Sequence, residues 1–262
     1  MAARLWMEAE GDGEPVVMIH GLGGSTNTFT PLLSALARHK RVRLDLPGSG
    51  RSRRFDGPLA LEAFLDAVRQ AFSGLGKAHV VAHSMGTIVA QHFAAAEPDK
   101  VKSLALFGPL LAPPDGARPS IRSRAERARR EGMRGIADAL IQASLSSETR
   151  AKNPVAIAFV RESLMAQDPE GYAQSCEALA EMQPADTARI ACPTLLVTGD
   201  EDAVSPPQSV RMMAQKIAGS RVEILRGCGH WTPVEKPAEC IALLKQFYET
   251  AVRQRIRTLT PN

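Results

Sequence analysis

Short apolar runs alternate with longer helical patterns along most of the 262-residue chain, and this alternation limits the fold more than any other feature. Continuous apolar strands separated by helices are typical of βαβ units, in which helices cover both faces of a parallel sheet. The sequence therefore predicts an α/β fold built on a doubly wound, mostly parallel sheet. The predicted strands end near His20, Leu46, Ser84, Phe107, Asp200 and Leu225.

One long segment, residues 112–188, interrupts the alternation because it contains helical patterns but no convincing strand. A helical insertion at the carboxyl ends of parallel strands lies over the place where open α/β sheets bind ligands. We therefore predict a core of residues 1–111 and 189–262 and an inserted helical cap, or lid, of residues 112–188. Helices are expected at 29–38, 59–73, 85–96, 206–217 and 237–254 in the core, and at about 120–145, 154–167 and 169–183 in the cap.

The net charge of +4 comes from residues 115–135, which hold seven arginines and three acidic residues. Surfaces that bind nucleic acid usually spread their lysines and interleave aromatic residues, and this region has no aromatic residue. Two interpretations remain for it, a solvated helix face and a surface that recognises an acidic substrate or partner. We expect no nucleic-acid partner.

The cysteines lack CxxC spacing, which predicts reduced thiols rather than a zinc site or a disulfide framework. The N-terminal stretch contains acidic residues where a signal peptide needs an apolar run, and no segment approaches 18 apolar residues. We therefore expect a cytoplasmic protein without a membrane span. The cysteines are Cys176, Cys192, Cys228 and Cys240.

The stretch VVAHSMG places Ser84 on the turn between a predicted strand and an apolar helix. It is close to the G-x-S-x-G nucleophile elbow, with Ala82 at the first glycine position and Gly86 at the second. The helix that begins near Met85 would direct backbone N–H groups and the positive end of its dipole at the same spot. The alternative interpretation is that Ser84 is an ordinary helix N-cap.

Polar groups follow three other strands that end on the same edge. In HGLGG, residues 20–24, glycines let the backbone approach a ligand, so we predict an oxyanion hole formed by the N–H groups of Leu22 and Met85; a flexible turn is the alternative. A serine nucleophile needs a histidine base, and the base needs a carboxylate to orient it. The later turns supply that carboxylate and base as Asp200, Asp202 and His230.

The chain resembles the α/β-hydrolase superfamily over nearly its whole length, in VVMIHGLGGS, RLDLPGSGRS, VVAHSMGTIVAQ, LLVTGDEDAVSPP and GCGHWTPVEKP. By that resemblance the acid stands three residues after the glycine of its turn, Gly199, which implies Asp202 rather than Asp200. The resemblance also implies about seven or eight strands, with RLWMEAEG as the second strand of the superfamily. It implies a base and two oxyanion donors at His230, Leu22 and Met85.

A serine at the elbow separates this chain from the dehalogenase and epoxide-hydrolase branches, which by resemblance would carry an aspartate nucleophile. The resemblance implies acyl transfer to water from a small ester, lactone or thioester, or cleavage of an activated C–C bond, with no metal or organic cofactor. The length, the cap and residues 167–186 resemble the branch that holds 3-oxoadipate enol-lactonase and small carboxylesterases. That branch acts on small carboxylated lactones.

The sequence indicates the side chains of the substrate pocket less specifically than the catalytic residues. We expect His83 and Trp231 to line the substrate pocket, and an arginine of the cap to bind a substrate carboxylate. The sequence does not choose among the cap arginines, and we take Arg122 as the candidate. The other three are Arg118, Arg124 and Arg134.

Alternative functions stay open from sequence. The same triad would serve a C–C hydrolase of ring-cleavage products or a cofactor-free perhydrolase, and the fold would also serve a ligand-binding receptor with a vestigial triad. The last helix either packs on the sheet or meets another subunit, so a homo-oligomer is also open.

Overall fold

The computed structural model describes residues 5–52 and 57–259, with side chains as far as residue 249. Seven strands in these ranges form one sheet in the order β1-β3-β2-β4-β5-β6-β7. The strands are β1 (Met7–Glu10), β2 (Glu14–Ile19), β3 (His39–Leu44), β4 (Ala78–His83), β5 (Val101–Phe107), β6 (Thr194–Gly199) and β7 (Ser220–Leu225).

All strand pairs of this sheet are parallel except β1 with β3, which pair antiparallel. The six strands predicted from apolar runs are all present, and RLWMEAEG supplies the seventh as β1. Because β2 to β7 run in one direction, the turns that follow them lie on one edge of the sheet. The predicted α/β fold with a mostly parallel sheet is confirmed.

Ten α-helices and four 3₁₀ segments accompany the strands in the described ranges. The helices are α1 (Leu61–Ala71), α2 (Met85–Ala96), α3 (Arg118–Glu131), α4 (Arg134–Ser144), α5 (Ser147–Lys152), α6 (Pro154–Met165), α7 (Pro169–Glu181), α8 (Pro207–Ala214), α9 (Thr232–Glu235) and α10 (Pro237–Leu259). The 3₁₀ segments are Thr26–Leu36, Pro98–Lys100, Asp115–Ala117 and Thr187–Arg189.

The central strand β4 shows why its sequence is apolar throughout, since all six of its residues are buried. Val80 and Ala82 belong to a cluster that packs on one face of the sheet with α1 and α2. Val81 faces the opposite layer, where Leu244 and Phe247 of α10 pack together with residues of the 3₁₀ segment Thr26–Leu36. The described part of α10 therefore packs on the sheet, which was one of its two predicted positions.

The five helices α3 to α7 all lie between β5 and β6, and no strand interrupts them in that fully described segment. The single helix predicted at 120–145 is wrong, because Gly132 ends α3 with a positive φ of 72° and α4 begins only at Arg134. The sequence also failed to indicate α5, whose N-cap is Ser146; its hydroxyl accepts a hydrogen bond from the Thr149 N–H at 3.1 Å.

Helix α3 holds most of the arginines of residues 115–135. Ile121, Ala125 and Ala128 are its buried face, and most of its arginines form ion pairs on the surface. Arg129, for example, donates to Glu170 at 2.8 Å and also pairs with Glu177, both on α7. Exposed pairs of this kind contribute little to stability, and they fit the interpretation of this region as a solvated helix face.

Candidate active site

Ser84 lies on the turn between β4 and α2 in a conformation that few side chains adopt. Its φ of 53° is the only positive φ of a non-glycine residue in the described ranges. Strain of this kind concentrates at functional sites, where the surrounding structure holds it. The neighbouring glycines permit the close packing, since a Cβ added to Gly21 would stand 2.6 Å from the Ser84 Cβ. A Cβ on Gly86 would collide with the carbonyl oxygens of Ile19 and His20.

The Ser84 hydroxyl does not cap helix α2, because its side chain makes no hydrogen bond with the first turn. Its Oγ lies 2.8 Å from Nε2 of His230, which follows β7 and is 146 positions later in the chain. The ordinary N-cap interpretation is therefore wrong. The fold brings the two side chains together because both stand on turns at the same edge of the sheet.

Asp202 holds the other side of the His230 ring. Its Oδ2 and Oδ1 lie 2.9 and 3.1 Å from His230 Nδ1. Because an ionised carboxylate only accepts, Nδ1–H is the donor and Nε2 carries the lone pair that faces Ser84. The N–H groups of Val204 and Ser205 donate to the same carboxylate at 2.9 and 2.7 Å.

The environment of Asp202 favours its charged form despite burial. Burial raises the pKa of this carboxyl, but the opposing effects of His230 and the two backbone donors are larger, so its pKa lies below the ordinary value. Asp200, the other acidic candidate, is exposed and accepts instead from the Cys228 N–H at 3.2 Å. The structure thus joins Asp202, and not Asp200, to the imidazole.

No hydrogen bond among the described residues joins the His83 ring to the Ser84 hydroxyl or the Asp202 carboxylate. The Nε2–H of His83 donates to the carbonyl oxygen of His230 at 2.9 Å, and its ring centroid lies 5.1 Å from that of His230 and 5.3 Å from that of Trp231. Burial lowers the pKa of His83 to about 3, so this imidazole is neutral near pH 7. It therefore supports the backbone that carries the His230 ring.

The turn HGLGG is anchored on both of its sides. His20 Nδ1–H donates to the Gly21 carbonyl at 2.7 Å, and the Leu46 N–H donates to His20 Nε2 at 2.9 Å. The Ser163 hydroxyl, at the end of α6, donates to the carbonyl of Gly23 at 2.8 Å. Helix α2 begins at Met85, so the N–H of Met85 has no acceptor within the helix.

A cavity of about 280 Å³ opens beside Ser84 and His230. His83, Trp231 and Leu22 line it, as do Tyr172 and Arg124, and most of the remaining wall is apolar. The other described residues of the wall are Leu110, Pro113, Pro114, Ala117, Ser120, Ile121, Leu140, Ser144, Leu179, Ala203 and Val204.

Arg122 does not reach this cavity, which corrects the prediction made for it. Its guanidinium pairs with Glu181 at 2.6 Å and lies beside a separate surface groove. Residues two apart on a helix point about 200° away from each other, and here it is Arg124 that lines the cavity. Arg118 donates instead to the carbonyls of Ala180 and Met182.

Glu235 is a buried residue of the site that sequence reasoning missed. Its carboxylate accepts from the N–H groups of Gly229 and Trp231, both at 3.1 Å, on either side of His230. It also accepts from the Ser146 N–H at 2.9 Å, and the His230 N–H donates to the carbonyl of Ser144 at 2.7 Å. The signal that the sequence offered was one acidic residue directly after the mostly apolar stretch WTPV.

The described residues offer neither a metal site nor a membrane span. No group of three or more His, Cys, Asp or Glu side chains in them is arranged to hold a metal ion. No helix there is long and apolar enough to cross a bilayer. None of the four cysteines, all of which lie in the described ranges, forms a disulfide.

Comparison with known proteins gives consistent matches over nearly the whole chain. A family model described as alpha/beta hydrolase fold matches residues 14–237. The chain is 32% identical to the pimeloyl-[acyl-carrier protein] methyl ester esterase of Chromobacterium violaceum, over 94% of this chain and 98% of that protein. It is 27% identical to the (E)-2-((N-methylformamido)methylene)succinate hydrolase of Acinetobacter baylyi, over 92% of each chain. The solved enol-lactonase of Burkholderia xenovorans has a TM-score of 0.87 and 26% identity, over 94% of this chain and 96% of that one.

Proposed function

This chain belongs to the alpha/beta hydrolase family and is a hydrolase, and we propose that it cleaves small carboxylic esters or lactones with Ser84, His230 and Asp202 as its catalytic triad. The observation that carries the proposal is the unbroken hydrogen-bonded chain from the Ser84 hydroxyl through His230 to the buried Asp202 carboxylate. The strained turn at Ser84 and the adjoining cavity support it.

The mechanism follows from the tautomer of His230. Nε2 takes the hydroxyl proton while the Ser84 oxygen bonds to the substrate carbonyl carbon, and Asp202 stabilises the imidazolium that results. The carbonyl oxygen becomes an oxyanion, which accepts hydrogen bonds from the N–H groups of Leu22 and Met85. His230 then protonates the departing alcohol oxygen, and an acyl-enzyme ester on Ser84 remains. Water, deprotonated by the same imidazole, hydrolyses that ester and restores Ser84.

In this mechanism the catalytic residues belong to a core of residues 1–111 and 189–262. Residues 112–188 act as a cap whose helices supply one wall of the cavity, through residues such as Ile121, Leu140 and Leu179. Relatives named as a methyl ester esterase and an enol-lactonase support a small ester or lactone as the substrate. The modest cavity volume supports the same size class.

Replacement of Ser84 by alanine tests the proposal. We expect Ser84→Ala to lower kcat/KM for p-nitrophenyl acetate by about a thousandfold or more, because the nucleophile is lost. Ser123→Ala is the matched control, since Ser123 is exposed on α3 and does not line the cavity. Equal rates for wild type and Ser84→Ala, in proteins with the same melting temperature, would reject Ser84 as the nucleophile.

A further inference from the structure

Glu235, on α9, is a buried carboxylate that takes no part in the steps of the proposed mechanism. The residue is 5% exposed. Its Oε2 accepts from the N–H groups of Ser146 and Gly229 at 2.9 and 3.1 Å, and its Oε1 accepts from the Trp231 N–H at 3.1 Å. No Lys or Arg side chain in the described ranges forms an ion pair with Glu235, so backbone N–H groups compensate its charge. A buried charge is stable only where its hydrogen-bond donors are held in place, so the carboxylate and these N–H groups form one rigid unit.

Two of the three donors flank the proposed base, because Gly229 and Trp231 are the residues directly before and after His230. The backbone N–H of His230 itself donates to the carbonyl oxygen of Ser144 at 2.7 Å. A Cβ added to Gly229 would collide with the same carbonyl oxygen, so the two backbones pack closely there. Three consecutive N–H groups therefore hold the backbone that carries the His230 ring.

The third donor, Ser146, belongs to the cap, in residues 144–149, which we name the cap anchor. The next residue of the cap anchor contacts the loop of the proposed acid. The N–H and the hydroxyl of Ser147 donate to the Glu201 carboxylate at 2.8 and 3.0 Å, and Glu201 directly precedes Asp202. The cap anchor thus contacts both loops that carry the partners of the proposed nucleophile.

We propose that Glu235 is a positioning residue for the catalytic base: it joins the loop of His230 to the cap anchor and so keeps the imidazole in line between Ser84 and Asp202. The cap then fixes the base as well as lining the cavity. Ser84 Oγ and Asp202 Oδ2 lie 2.8 and 2.9 Å from the two nitrogens of that ring, and proton transfer requires this hydrogen-bond reach. The role rests on the proposed function, because Glu235 does not line the cavity and acts through His230.

Replacement of Glu235 by glutamine tests this role with little change in shape. The amide keeps one accepting oxygen, but its NH₂ group would face an N–H donor, so the N–H of Gly229 or of Trp231 loses its acceptor. We expect Glu235→Gln to lower kcat for p-nitrophenyl acetate by about 10- to 100-fold, as for a small misplacement of a catalytic group. KM should change by less than about threefold, because the substrate contacts remain. Wild-type kcat in Glu235→Gln would overturn the proposal.

Glu201→Gln is the matched control for the loss of a carboxylate that binds the cap anchor. Glu201 is exposed, and its carboxylate accepts from Ser147, the neighbour of Ser146. We expect this variant to keep kcat within about threefold of wild type, as for loss of an exposed contact. Equal losses of kcat in Glu201→Gln and Glu235→Gln would overturn the proposal, because attachment of the cap in general would then set the rate.

Ser146→Ala approaches the same loop from the cap and leaves the Glu235 carboxylate in place. It removes the hydroxyl that donates to the Gly227 carbonyl at 2.8 Å, three positions before His230. We expect kcat to fall by about two- to tenfold, as for loss of one hydrogen bond, with little change in KM. This variant keeps the proposal testable if Glu235→Gln fails to fold, and wild-type kcat in Ser146→Ala would overturn the coupling between cap and base.

Proton NMR of His230 separates failure of this role from failure of the triad, because it needs no substrate. The proton on Nδ1, shared with the Asp202 carboxylate, resonates far downfield and is identified by its absence in His230→Gln. We expect Glu235→Gln to weaken this resonance or to speed its exchange with water, and Glu201→Gln to leave it unchanged. A resonance in Glu235→Gln identical to that of wild type would overturn the role whatever the nucleophile is. If the resonance depends on Glu235 but Ser84→Ala keeps full esterase activity, the triad is wrong and the positioning of His230 stands.

Discussion

At the scale of single residues, two aspartates on one turn have different surroundings. Asp202 is buried against His230, whereas Asp200 is exposed and accepts from a backbone N–H of the loop before His230. We expect Asp202→Asn to lower kcat/KM by about a thousandfold or more, because the amide no longer stabilises the imidazolium or the correct tautomer. Asp200→Asn should cost less than about tenfold. Steady-state hydrolysis of p-nitrophenyl acetate measures both, and the reverse ranking would reassign the acid.

Some residues of the candidate site could be predicted from the sequence and others could not. Apolar strands and the turns after them were sufficient to bring Ser84, Asp202 and His230 to one edge, because parallel topology alone makes those turns meet. The choice between Arg122 and Arg124 was not available, since it depends on how α3 rotates against α7. That rotation is set by packing between segments distant in sequence. Glu235 was missed for a similar reason, as its three N–H partners come from two separate loops.

At the scale of elements, close contact between α2 and β2 supports the turn at Ser84. A Cβ on Gly86 would collide with the carbonyl oxygens of Ile19 and His20, and backbone atoms in a packed sheet cannot move aside freely. We expect Gly86→Ala to lower the free energy of unfolding by about 1–3 kcal/mol, the usual cost of overpacking. Urea denaturation measures it.

Gly116→Ala is the matched control for the Gly86→Ala prediction. A Cβ on Gly116 meets nothing within 4 Å, and its φ is not positive. We expect its unfolding free energy to stay within about 0.5 kcal/mol of wild type. If Gly86→Ala were as stable as Gly116→Ala, close packing would not be what holds the turn.

Elements of the cap were harder to predict than those of the core. Continuous apolar runs indicate the buried strands of the core. The break between α3 and α4 after Glu131 depends instead on Gly132 in the left-handed region, a conformation that glycine permits and does not require. The short helix α5 has six residues and too little apolar periodicity to indicate a helix. Its start depends on contacts with Glu235 and Gly227 elsewhere in the chain.

At the scale of the whole molecule, buried neutral histidines couple folding to pH. Burial lowers the pKa of His20 and brings that of His83 to about 3, whereas both bind a proton near pH ~6.5 when unfolded. The unfolded state therefore binds more protons below that pH, and stability present at neutral pH is lost as the pH falls toward 3. The loss approaches about 1.4 kcal/mol per pH unit for each such histidine. The lowered pKa of Asp202 acts in the same direction.

Urea denaturation between pH 7 and pH 4 measures this dependence. We expect His83→Gln to flatten the slope of unfolding free energy against pH, because one buried group no longer takes up a proton on unfolding. His92→Gln is the control, since His92 lies on α2 at the molecular surface and is only partly buried. A His83→Gln slope as steep as that of wild type would mean that His83 is not held neutral by the fold.

The proposed mechanism depends most on Ser84 as a nucleophile activated by His230, and covalent labelling tests this role directly. A fluorophosphonate reacts with an activated serine, whose oxygen bonds to phosphorus as fluoride leaves. Wild-type protein treated with it should gain one adduct, and peptide mass spectrometry should place that adduct on Ser84, with none formed in Ser84→Ala and far slower labelling in Asp202→Asn. An adduct on another residue, or equal labelling of Ser84→Ala, would show that Ser84 is not the activated nucleophile.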